Sequence, residues 1–459
     1  MKTLGLPLIF ILVTIVCLPF MAQPSMTSST IYIRADGSID PPSAPISTTN
    51  NIIYTLTNNI YDEIVVEKND IVINGASYTV QGSGTGNGFT LYSVTNVALT
   101  NINIKNFAYG VYLESSSYNS IHRNNISGND YDGIEVYFSS DCNNIADNRI
   151  EANGWFGVGI LYSNNNTISG NNIANNDDGL DLYDASGTEI SKNRITGSGE
   201  FGIGFYSSSD NAIFQNDFVN NTQHIYSESS TNRWDNGYPS GGNYWSSYAG
   251  VDLFNGPNQN LPGSDGIADS PYNCSEDDQD RYPLMQTFTN VAVQGVIPIK
   301  TVVGQGYNAT IAIQVENQGW ETRTTNVEVT LDTTTILTLN DLVMTGKNRT
   351  ILTYTWQTSG YSIGNYTLSA TATTVPGETD TTDNNCTLMV HVGVPGDVSS
   401  STQGLYDGIV NMRDIQYMIL LFNAKPGSTK WNPNADVNND LVVNMRDINI
   451  AIMNFNKHE

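Results

Sequence analysis

The chain has 459 residues, with 45 Asp and Glu against 19 Lys and Arg, and a formal net charge of −26. Its length predicts several domains rather than one core. The acidic balance excludes functions that depend on neutralising phosphates, so we expect no nucleic acid partner. It is typical of a soluble surface protein that meets divalent cations.

Residues 1–25 begin with Lys2, continue as an apolar run from Leu4 to Phe20, and end in small and polar residues. This layout predicts a secretory signal peptide. The alternative is a retained anchor helix, since about 17 apolar residues lie near the lower limit for spanning a bilayer. We therefore predict a secreted, extracellular or cell-surface protein with no membrane span after signal removal.

Cysteine usage and glycosylation motifs agree with export. Cys142, Cys274 and Cys386 remain after signal removal, so at most one disulfide can form and the fold does not depend on a disulfide framework. Asn-x-Ser/Thr motifs predict a glycoprotein. They begin at Asn125, Asn165, Asn220, Asn273, Asn308, Asn348, Asn365 and Asn385.

A repeat of about 23 residues organises the next part of the chain. Each unit carries an apolar residue, an Asn three positions later and a second apolar residue two positions after that. The second apolar slot holds Ile104, Ile126, Ile150, Ile173, Ile195 and Phe218. A Gly then opens a short alternating run, as in Gly133-Ile-Glu-Val-Tyr, which predicts a strand with one buried face.

Such short units must stack to bury their apolar faces, with equivalent residues about 4.8 Å apart. We therefore predict a parallel β-helix over residues 26–288, with isoleucines inside and with glycines and asparagines at the corners, where positive φ is tolerated. The units, with stretches 71–88 and 241–285, resemble the NosD-type right-handed parallel β-helix family. The Asp-rich stretch 264–280 is expected to cap the tube, with calcium binding as the alternative.

The resemblance to NosD raises the question of copper, because that family is named for a copper-handling protein. This chain has four His residues and no Met/His or Cys cluster. Copper prefers soft or imidazole ligands, so we do not expect it here.

Residues two and four positions after each Gly are expected to point outward and to form columns. Glu135 and Asp181 then lie two coils apart, roughly 9 to 10 Å, and are the candidate catalytic carboxylates of an inverting hydrolysis. Tyr137, Tyr183 and Tyr206 beside them are candidate carbohydrate-binding residues. The alternative is a decorated, solvated sheet. The columns hold no basic group, so we expect binding rather than catalysis.

From residue 289 to 393 the pattern changes to Thr/Val-rich alternation broken by Asn, Gly and Asp turns. Runs of this kind predict an antiparallel β-sandwich. The stretches IQVENQG (313–319) and PGETDTTDNN (376–385) resemble the CARDB family of Ig-like domains. The resemblance implies a spacer or adhesion role and provides no catalytic residues.

The C-terminal residues 394–459 repeat themselves at an offset of 33, with DGIVNMRDIQYMILLFN matching DLVVNMRDINIAIMNFN. Alternating oxygen ligands in one turn are what calcium requires. The predicted ligands of the second loop are Asp436, Asn438, Asp440, the Val442 carbonyl, Asn444 and Asp447. Those of the first loop are Asp397, Asp407, the Ile409 carbonyl, Asn411 and Asp414. Asp397 can take the first ligand position only if this loop contains six extra residues, so whether the first loop binds calcium is left open.

Each loop precedes an amphipathic stretch, and we expect the two apolar faces to pack together. The faces are Ile415, Met418, Ile419 and Phe422, and Ile448, Ala451, Ile452 and Phe455. The duplicated module resembles a dockerin domain. The resemblance implies Ca²⁺ as cofactor and a cohesin-like partner, chosen by residues near Met412/Arg413 and Met445/Arg446. Leu441 stands where glycine is usual, which requires a left-handed residue.

The sequence thus predicts a mainly β, exported, modular surface protein: a β-helix, an Ig-like β-sandwich and a small α calcium-binding module. The β-helix is expected to present a face to a polysaccharide or cell-surface glycan, while the last module docks the protein. The alternatives are a carbohydrate-active enzyme (a lyase, hydrolase or epimerase) carried by a dockerin, and a structural envelope component.

Overall fold

A computed structural model describes residues 30–399 and 406–459; the predicted signal peptide lies outside the described residues. The described chain is mainly β and has three separate apolar cores, in a solenoid, a sandwich-like region and a C-terminal helical module. Among these residues no helix has both the length and the apolar character needed to span a bilayer.

Three sheets run along the solenoid, and each coil after the first few contributes one strand to each sheet. The first sheet contains β1 Ile31–Ile33, β2 Ile39–Asp40, β5 Ile64–Val66, β8 Asn87–Tyr92, β11 Tyr109–Glu114, β14 Ile134–Tyr137, β17 Phe156–Leu161, β20 Asp178–Tyr183, β23 Phe201–Tyr206 and β26 Gln223–Glu228. The second contains β3 Ile46–Thr48, β4 Ile53–Leu56, β6 Ile71–Asn74, β9 Val97–Thr100, β12 Ser120–His122, β15 Asn144–Ala146, β18 Thr167–Ser169, β21 Glu189–Ser191 and β24 Ala212–Phe214. The third contains β7 Thr79–Gln81, β10 Asn103–Lys105, β13 Asn125–Ser127, β16 Arg149–Glu151, β19 Asn172–Ala174, β22 Arg194–Thr196, β25 Asp217–Val219 and β27 Tyr244–Trp245.

The predicted isoleucine columns are confirmed by the parallel register. In the third sheet Ile126 pairs with Ile150, Ile150 with Ile173, and Ile173 with Ile195. These four side chains are fully buried. The repeat therefore encodes a stacked apolar interior, because no single coil could bury these residues alone.

Columns of buried asparagine join successive coils. In the column between the second and third sheets, the Asn171 carboxamide oxygen accepts the backbone N–H of Asn148 at 2.9 Å, and its Nδ2 donates to the Ile145 carbonyl at 2.8 Å. Asn193 repeats both kinds of bond toward the preceding coil, to Asn171 and to Ile168. Each amide thereby satisfies backbone groups that the corner would leave unpaired.

The prediction that Asn and Gly both supply positive φ at the corners is only partly right. The residue before each column asparagine takes the left-handed conformation, as at Arg123 (57°), Asp147 (54°) and Lys192 (58°). The glycine that opens each outer run has another role. A Cβ on Gly133 would lie 2.6 Å from the side chain of Ile150, so glycine is needed because the interior isoleucine of the next coil packs against the backbone.

The Asp-rich stretch 264–280 closes the end of the tube, as expected. Asp278 and Asp280 accept the backbone N–H groups of Asn232 and Asn243 at 2.8 and 2.7 Å, so they extend the asparagine columns. Asp280 also accepts the indole N–H of buried Trp245 at 2.9 Å. Two small hairpins complete the cap, β28 Phe254–Asn255 with β29 Leu261–Pro262 and β30 Tyr272–Asn273 with β31 Gln279–Asp280.

The next eight strands form two sheets around a second apolar core, a β-sandwich-like arrangement. The three-stranded sheet contains β32 Val291–Pro298, β34 Asn308–Asn317 and β37 Asn348–Gln357. The five-stranded sheet contains β33 Val302–Gly304, β35 Arg323–Leu331, β36 Thr334–Met344, β38 Gly364–Ala372 and β39 Asn385–Gly393. This arrangement follows from the Thr/Val alternation of the sequence, which places apolar residues on the inner face of each sheet.

The C-terminal module contains two short helices, α1 Met412–Leu420 and α2 Met445–Met453, as the apolar periodicity predicts. The predicted contact face is wrong in part. Ile415, Met418, Ile448 and Ala451 are buried, but the remaining predicted positions are exposed by 41 to 56%. These exposed positions are Ile419, Phe422, Ile452 and Phe455.

Candidate functional site

The solvent-side surface of β11, β14, β17, β20, β23 and β26, called the outer face below, carries three columns of side chains. The central column contains Tyr112, Glu135, Gly159, Asp181, Gly204 and Tyr226. The second column lies four positions after each coil's Gly, whose place His224 takes in the last coil. It contains Glu114, Tyr137, Leu161, Tyr183, Tyr206 and Glu228. The residue before that Gly gives the third, which contains Tyr109, Asp132, Phe156, Asp178, Phe201 and Gln223.

The register brings the two predicted catalytic candidates into one column. Glu135 lies opposite Gly159, and Gly159 lies opposite Asp181. Two strand spacings therefore separate the carboxyl-bearing residues, about 9 to 10 Å along the tube. Acidic coils thus alternate with coils that carry glycine at the same position.

The carboxyl groups lean over these glycines. A Cβ on Gly159 would lie 3.2 Å from an Asp132 oxygen, and one on Gly204 would lie 2.2 Å from an Asp181 oxygen. A larger residue at Gly204 would displace the Asp181 carboxyl group, and one at Gly159 would crowd Asp132 together with Leu161 and Phe156. The glycines therefore form the floor on which the acidic groups lie.

Asp132 and Glu135 form a close acidic pair on β14 and the turn before it. Asp132 accepts the backbone N–H of Phe156 at 3.1 Å. The Asp132 carboxyl and the Tyr109 hydroxyl both lie within hydrogen-bonding reach of Glu135. Burial and the neighbouring Glu135 raise the pKa of Asp132 to about 8, and burial raises that of Glu135. Such a pair keeps a shared proton near neutral pH.

Asp181 points away from the apolar interior, yet it is only 1% exposed because neighbouring outer-face side chains cover it. Neither of its carboxyl oxygens makes a well-formed hydrogen bond within the described protein. Burial, and next the nearby Asp178, raise the pKa of Asp181 to about 8. A buried carboxyl without partners favours its neutral form and can still donate or accept a hydrogen bond.

Aromatic rings flank the acidic groups on both sides. Tyr183 and Tyr206 stack with centroids 4.2 Å apart and planes 1° apart. On the opposite side Tyr131 lies 5.4 Å from Tyr109 and 4.6 Å from Trp155, which is half exposed. Rings of this kind place apolar surface beside polar groups.

The structure places the sequence-predicted sugar candidates Tyr137, Tyr183 and Tyr206 in one column of the outer face. The opposite aromatic flank and the pairing of Asp132 with Glu135 were missed. Asp132 and Asp178 stand immediately before the Gly of their coils, outside the alternating run. The residue immediately before the Gly of each coil is the sequence signal that identifies the third column.

The second predicted calcium loop brings its acidic residues together. Oxygen atoms of Asp436, Asp440 and Asp447 lie within 4.8 Å of one another, which is the reach of ligands on one Ca²⁺ ion. Asp436 accepts the backbone N–H groups of Asp440 and Leu441 at 3.1 and 2.9 Å. Leu441 has φ of +64°, as expected where glycine is usual.

The other predicted ligands of this loop lie around that group. The Asn438 side-chain oxygen accepts the Asp440 N–H at 2.9 Å. Asn444 caps α2 by accepting the Arg446 N–H at 2.8 Å, while its Nδ2 donates to the Val442 carbonyl at 3.0 Å. The donor set therefore consists of hard oxygens, which fits calcium.

The first loop has some of the same hydrogen bonds, although six extra residues separate Asp397 from the rest of the loop. Asp397 accepts the N–H groups of Asp407 and Gly408 at 3.1 and 2.7 Å, the counterpart of the Asp436 bonds. Asp414 accepts the Asn411 N–H at 2.8 Å, and the Asn411 Nδ2 donates to the Ile409 carbonyl at 3.3 Å. Among the described residues, only the second loop converges three acidic ligands.

Residues 27–250 match the family model described as Periplasmic copper-binding protein (NosD). The match covers most of the solenoid, including the outer face. Within the described part of that range, no three His, Cys, Asp or Glu side chains converge as a metal site requires. The residues present therefore do not fit a copper centre. No match was found among curated proteins.

Solved structures similar to this chain include epimerases and CARDB domains. The periplasmic alginate epimerase AlgG is 17% identical over 37% of this chain, with a TM-score of 0.35, and this chain spans 46% of its length. The AlgE4 A-module, a mannuronan C-5 epimerase from Azotobacter vinelandii, is 16% identical over 37% of this chain and 59% of its own, with a TM-score of 0.26. A CARDB domain from Pyrococcus furiosus, in complex with di-metal ions, is 24% identical over 23% of this chain and 94% of its own, with a TM-score of 0.21.

The raised pKa of Asp181 predicts a pH-dependent effect of Asp181→Asn on stability. Between the ordinary carboxyl pKa near 4 and about 8, the unfolded chain releases the Asp181 proton while the folded chain keeps it. The stability of the wild-type protein therefore falls as pH rises through this window. We expect Asp181→Asn to raise the calorimetric Tm by several degrees at pH 8 and to leave it nearly unchanged at pH 4.

Asp184→Asn, a change at an exposed corner of the same coil, is the matched control and should have little effect at either pH. Equal Tm changes for Asp181→Asn at the two pH values would show that Asp181 ionises normally in the folded protein.

Proposed function

We propose that the outer face binds an extended polysaccharide chain, and that the C-terminal module holds the protein in an extracellular assembly. The observation that carries the first part is the alternation of acidic and glycine coils between two aromatic flanks. Sugar rings combine apolar C–H faces with hydroxyl groups, so they need both kinds of neighbour. The spacing of two coils is comparable to the length of a disaccharide.

The charge state of the carboxyl groups bears on the choice of glycan. Asp132 and Asp181 are largely neutral at pH 7 because their pKa values are about 8. Both groups are only 1% exposed, so they lie beneath the surface of the face and do not contact a glycan directly. In their neutral form they do not repel a uronate bound above them. The neutral form of these two groups reduces the repulsion that a uronate would meet on this face, so acidic as well as neutral polysaccharides are proposed as ligands.

Acid catalysis on the same face is the second candidate function. A carboxyl group that keeps its proton at neutral pH can protonate a leaving-group oxygen. Asp132 and Asp181 meet this condition, but both are 1% exposed and would have to be uncovered to reach a substrate. Glu135 and Asp181 have the wide separation associated with inverting hydrolysis. The outer-face columns hold no basic side chain, which is why binding is the primary proposal.

The C-terminal module is proposed to be a dockerin that binds Ca²⁺ through its second loop and docks onto a cohesin-like domain. The duplicated loops, their shared Asp397 and Asp436 bonding pattern and the converging carboxylates support this. Each copy of the module exposes apolar side chains both on the helix and just after it. Among these are Ile419 and Phe422 in the first copy and Ile452 and Phe455 in the second. Such residues are a suitable surface for a partner.

Glycan binding predicts that Tyr183→Ala weakens retention of the protein on polysaccharides. Removing this ring disrupts the Tyr183–Tyr206 stack, so we expect about tenfold weaker binding, as for other aromatic anchors. Affinity electrophoresis against panels of acidic and neutral polysaccharides measures it. Tyr118→Ala removes an exposed tyrosine at a corner and should bind as wild type.

The same panels separate binding from catalysis. Retention without product formation, lost in Tyr183→Ala, supports a binding face. Turnover that disappears in Glu135→Gln or Asp181→Asn would instead establish the enzyme. Retention that is equal in Tyr183→Ala and wild type would contradict a role for the outer face.

Calcium binding is predicted at one site per chain with the full-length protein. Asp440→Asn removes one of the three converging charges and should weaken calcium binding by about tenfold or more, because affinity follows the ligand charge count. Titration calorimetry measures both the affinity and the stoichiometry. Asp341→Asn, in an exposed position of the sandwich, is the control. No calcium binding by the wild-type chain would overturn the proposed calcium-dependent docking.

A further inference from the structure

A cleft of about 600 Å³ lies between the solenoid and the sandwich, away from the outer face. Its solenoid wall is the corner between the second and third sheets, where Arg123 and Lys192 are two of the left-handed corner residues. Its other wall is the sandwich, which contributes Lys347 and Arg349. With Arg149, these make five basic side chains in one place, in a chain that has 19.

Specific contacts hold the two walls together. Arg194 forms an ion pair with Glu321 at 3.0 Å, and Lys192 donates to the Gln318 side chain at 3.2 Å. Buried Asp217 accepts the backbone N–H of Phe288 at 2.7 Å, where the chain leaves the solenoid cap. The cleft is therefore a defined space and not a gap between loosely tethered units.

Three of the five basic side chains form no ion pair. Arg149 pairs with Glu151, and Arg349 pairs with Glu316. Arg123, Lys192 and Lys347 form no ion pair with any carboxylate of the described residues. Asp147 and Glu316 also line the cleft, and the Asp147 carboxylate favours the charged form of Lys347. Five basic side chains therefore face two carboxylates, and the remaining excess of positive charge favours a bound anion.

Lys347 is the most enclosed of the three. Its Nζ lies 4.4 Å from the ring centroid of Trp320, and a Cβ on Gly170 would lie 3.4 Å from it, so the solenoid corner is close on the other side. Burial lowers the pKa of Lys347 to about 8. The Trp320 indole N–H is also buried without an acceptor among the described residues. A bound anion would stabilise the ammonium group and accept hydrogen bonds here.

We propose that this cleft binds a small oxyanion, a carboxylate or sulfate group, between Arg123, Lys192 and Lys347. The group can belong to an acidic sugar or be a free inorganic anion, since both present the same oxygens. This site is independent of the proposed polysaccharide face, because it lies on other sheets of the solenoid.

Calorimetric titration of the full chain with sodium sulfate, sodium glucuronate and glucose, at constant ionic strength, tests the proposal. We expect saturable binding of sulfate or glucuronate and none of glucose. Arg123→Gln, a change of an exposed side chain, should weaken binding by about tenfold, as should Lys347→Gln. Lys105→Gln, on β10 of the third sheet but outside the cleft, should leave it unchanged.

The two anions distinguish the sources. Preference for glucuronate assigns an acidic sugar, and preference for sulfate assigns a free inorganic anion. If Lys347→Gln fails to fold, Arg123→Gln still tests the proposal, because Arg123 is exposed. Absence of binding of both anions, or equal weakening in Arg123→Gln and Lys105→Gln, would overturn the proposal.

Discussion

Each buried asparagine places an amide inside the corner of an otherwise apolar tube, and the backbone of the preceding coil is the partner within its reach. This requirement fixes how one coil lies on the next. Asn148, Asn171 and Asn193 each accept a backbone N–H and donate to a carbonyl of that coil. A slip by one residue would leave these amides unpaired in a dry interior and turn isoleucine outward, at a cost of several kcal/mol for each coil.

The sites follow from this register. Because the coils stack without offset, residues far apart in the chain, such as Glu135 and Asp181, meet in one column of the outer face. The same stacking aligns Arg123 and Lys192 along another corner, where the sandwich closes the cleft. One repeat therefore supplies two chemically different surfaces, an acid–aromatic face and a cleft rich in basic side chains.

The amino-acid pattern predicted the stacked interior and the sandwich because regularly alternating apolar residues lie on the buried face of a strand. It predicted the proximity of Glu135 and Asp181 for the same reason. It placed the left-handed corners less well, since Arg123 and Lys192 are not residue types that favour positive φ. The cleft could not be predicted, because its walls come from residues 123–192 and 316–349 and no repeat relates them. The apolar faces of α1 and α2 were overestimated, because each of these nine-residue helices buries only two apolar side chains.

Hydrogen exchange tests the asparagine columns most directly. The backbone N–H groups of Asn124, Asn148, Asn171 and Asn193 each donate to the side chain of the next coil and are buried. Hydrogen–deuterium exchange resolved to single residues should show that these four amides exchange only by unfolding of the solenoid, at nearly equal opening free energies. Fast or unequal exchange at Asn148 and Asn171, with the neighbouring strands still protected, would contradict the account.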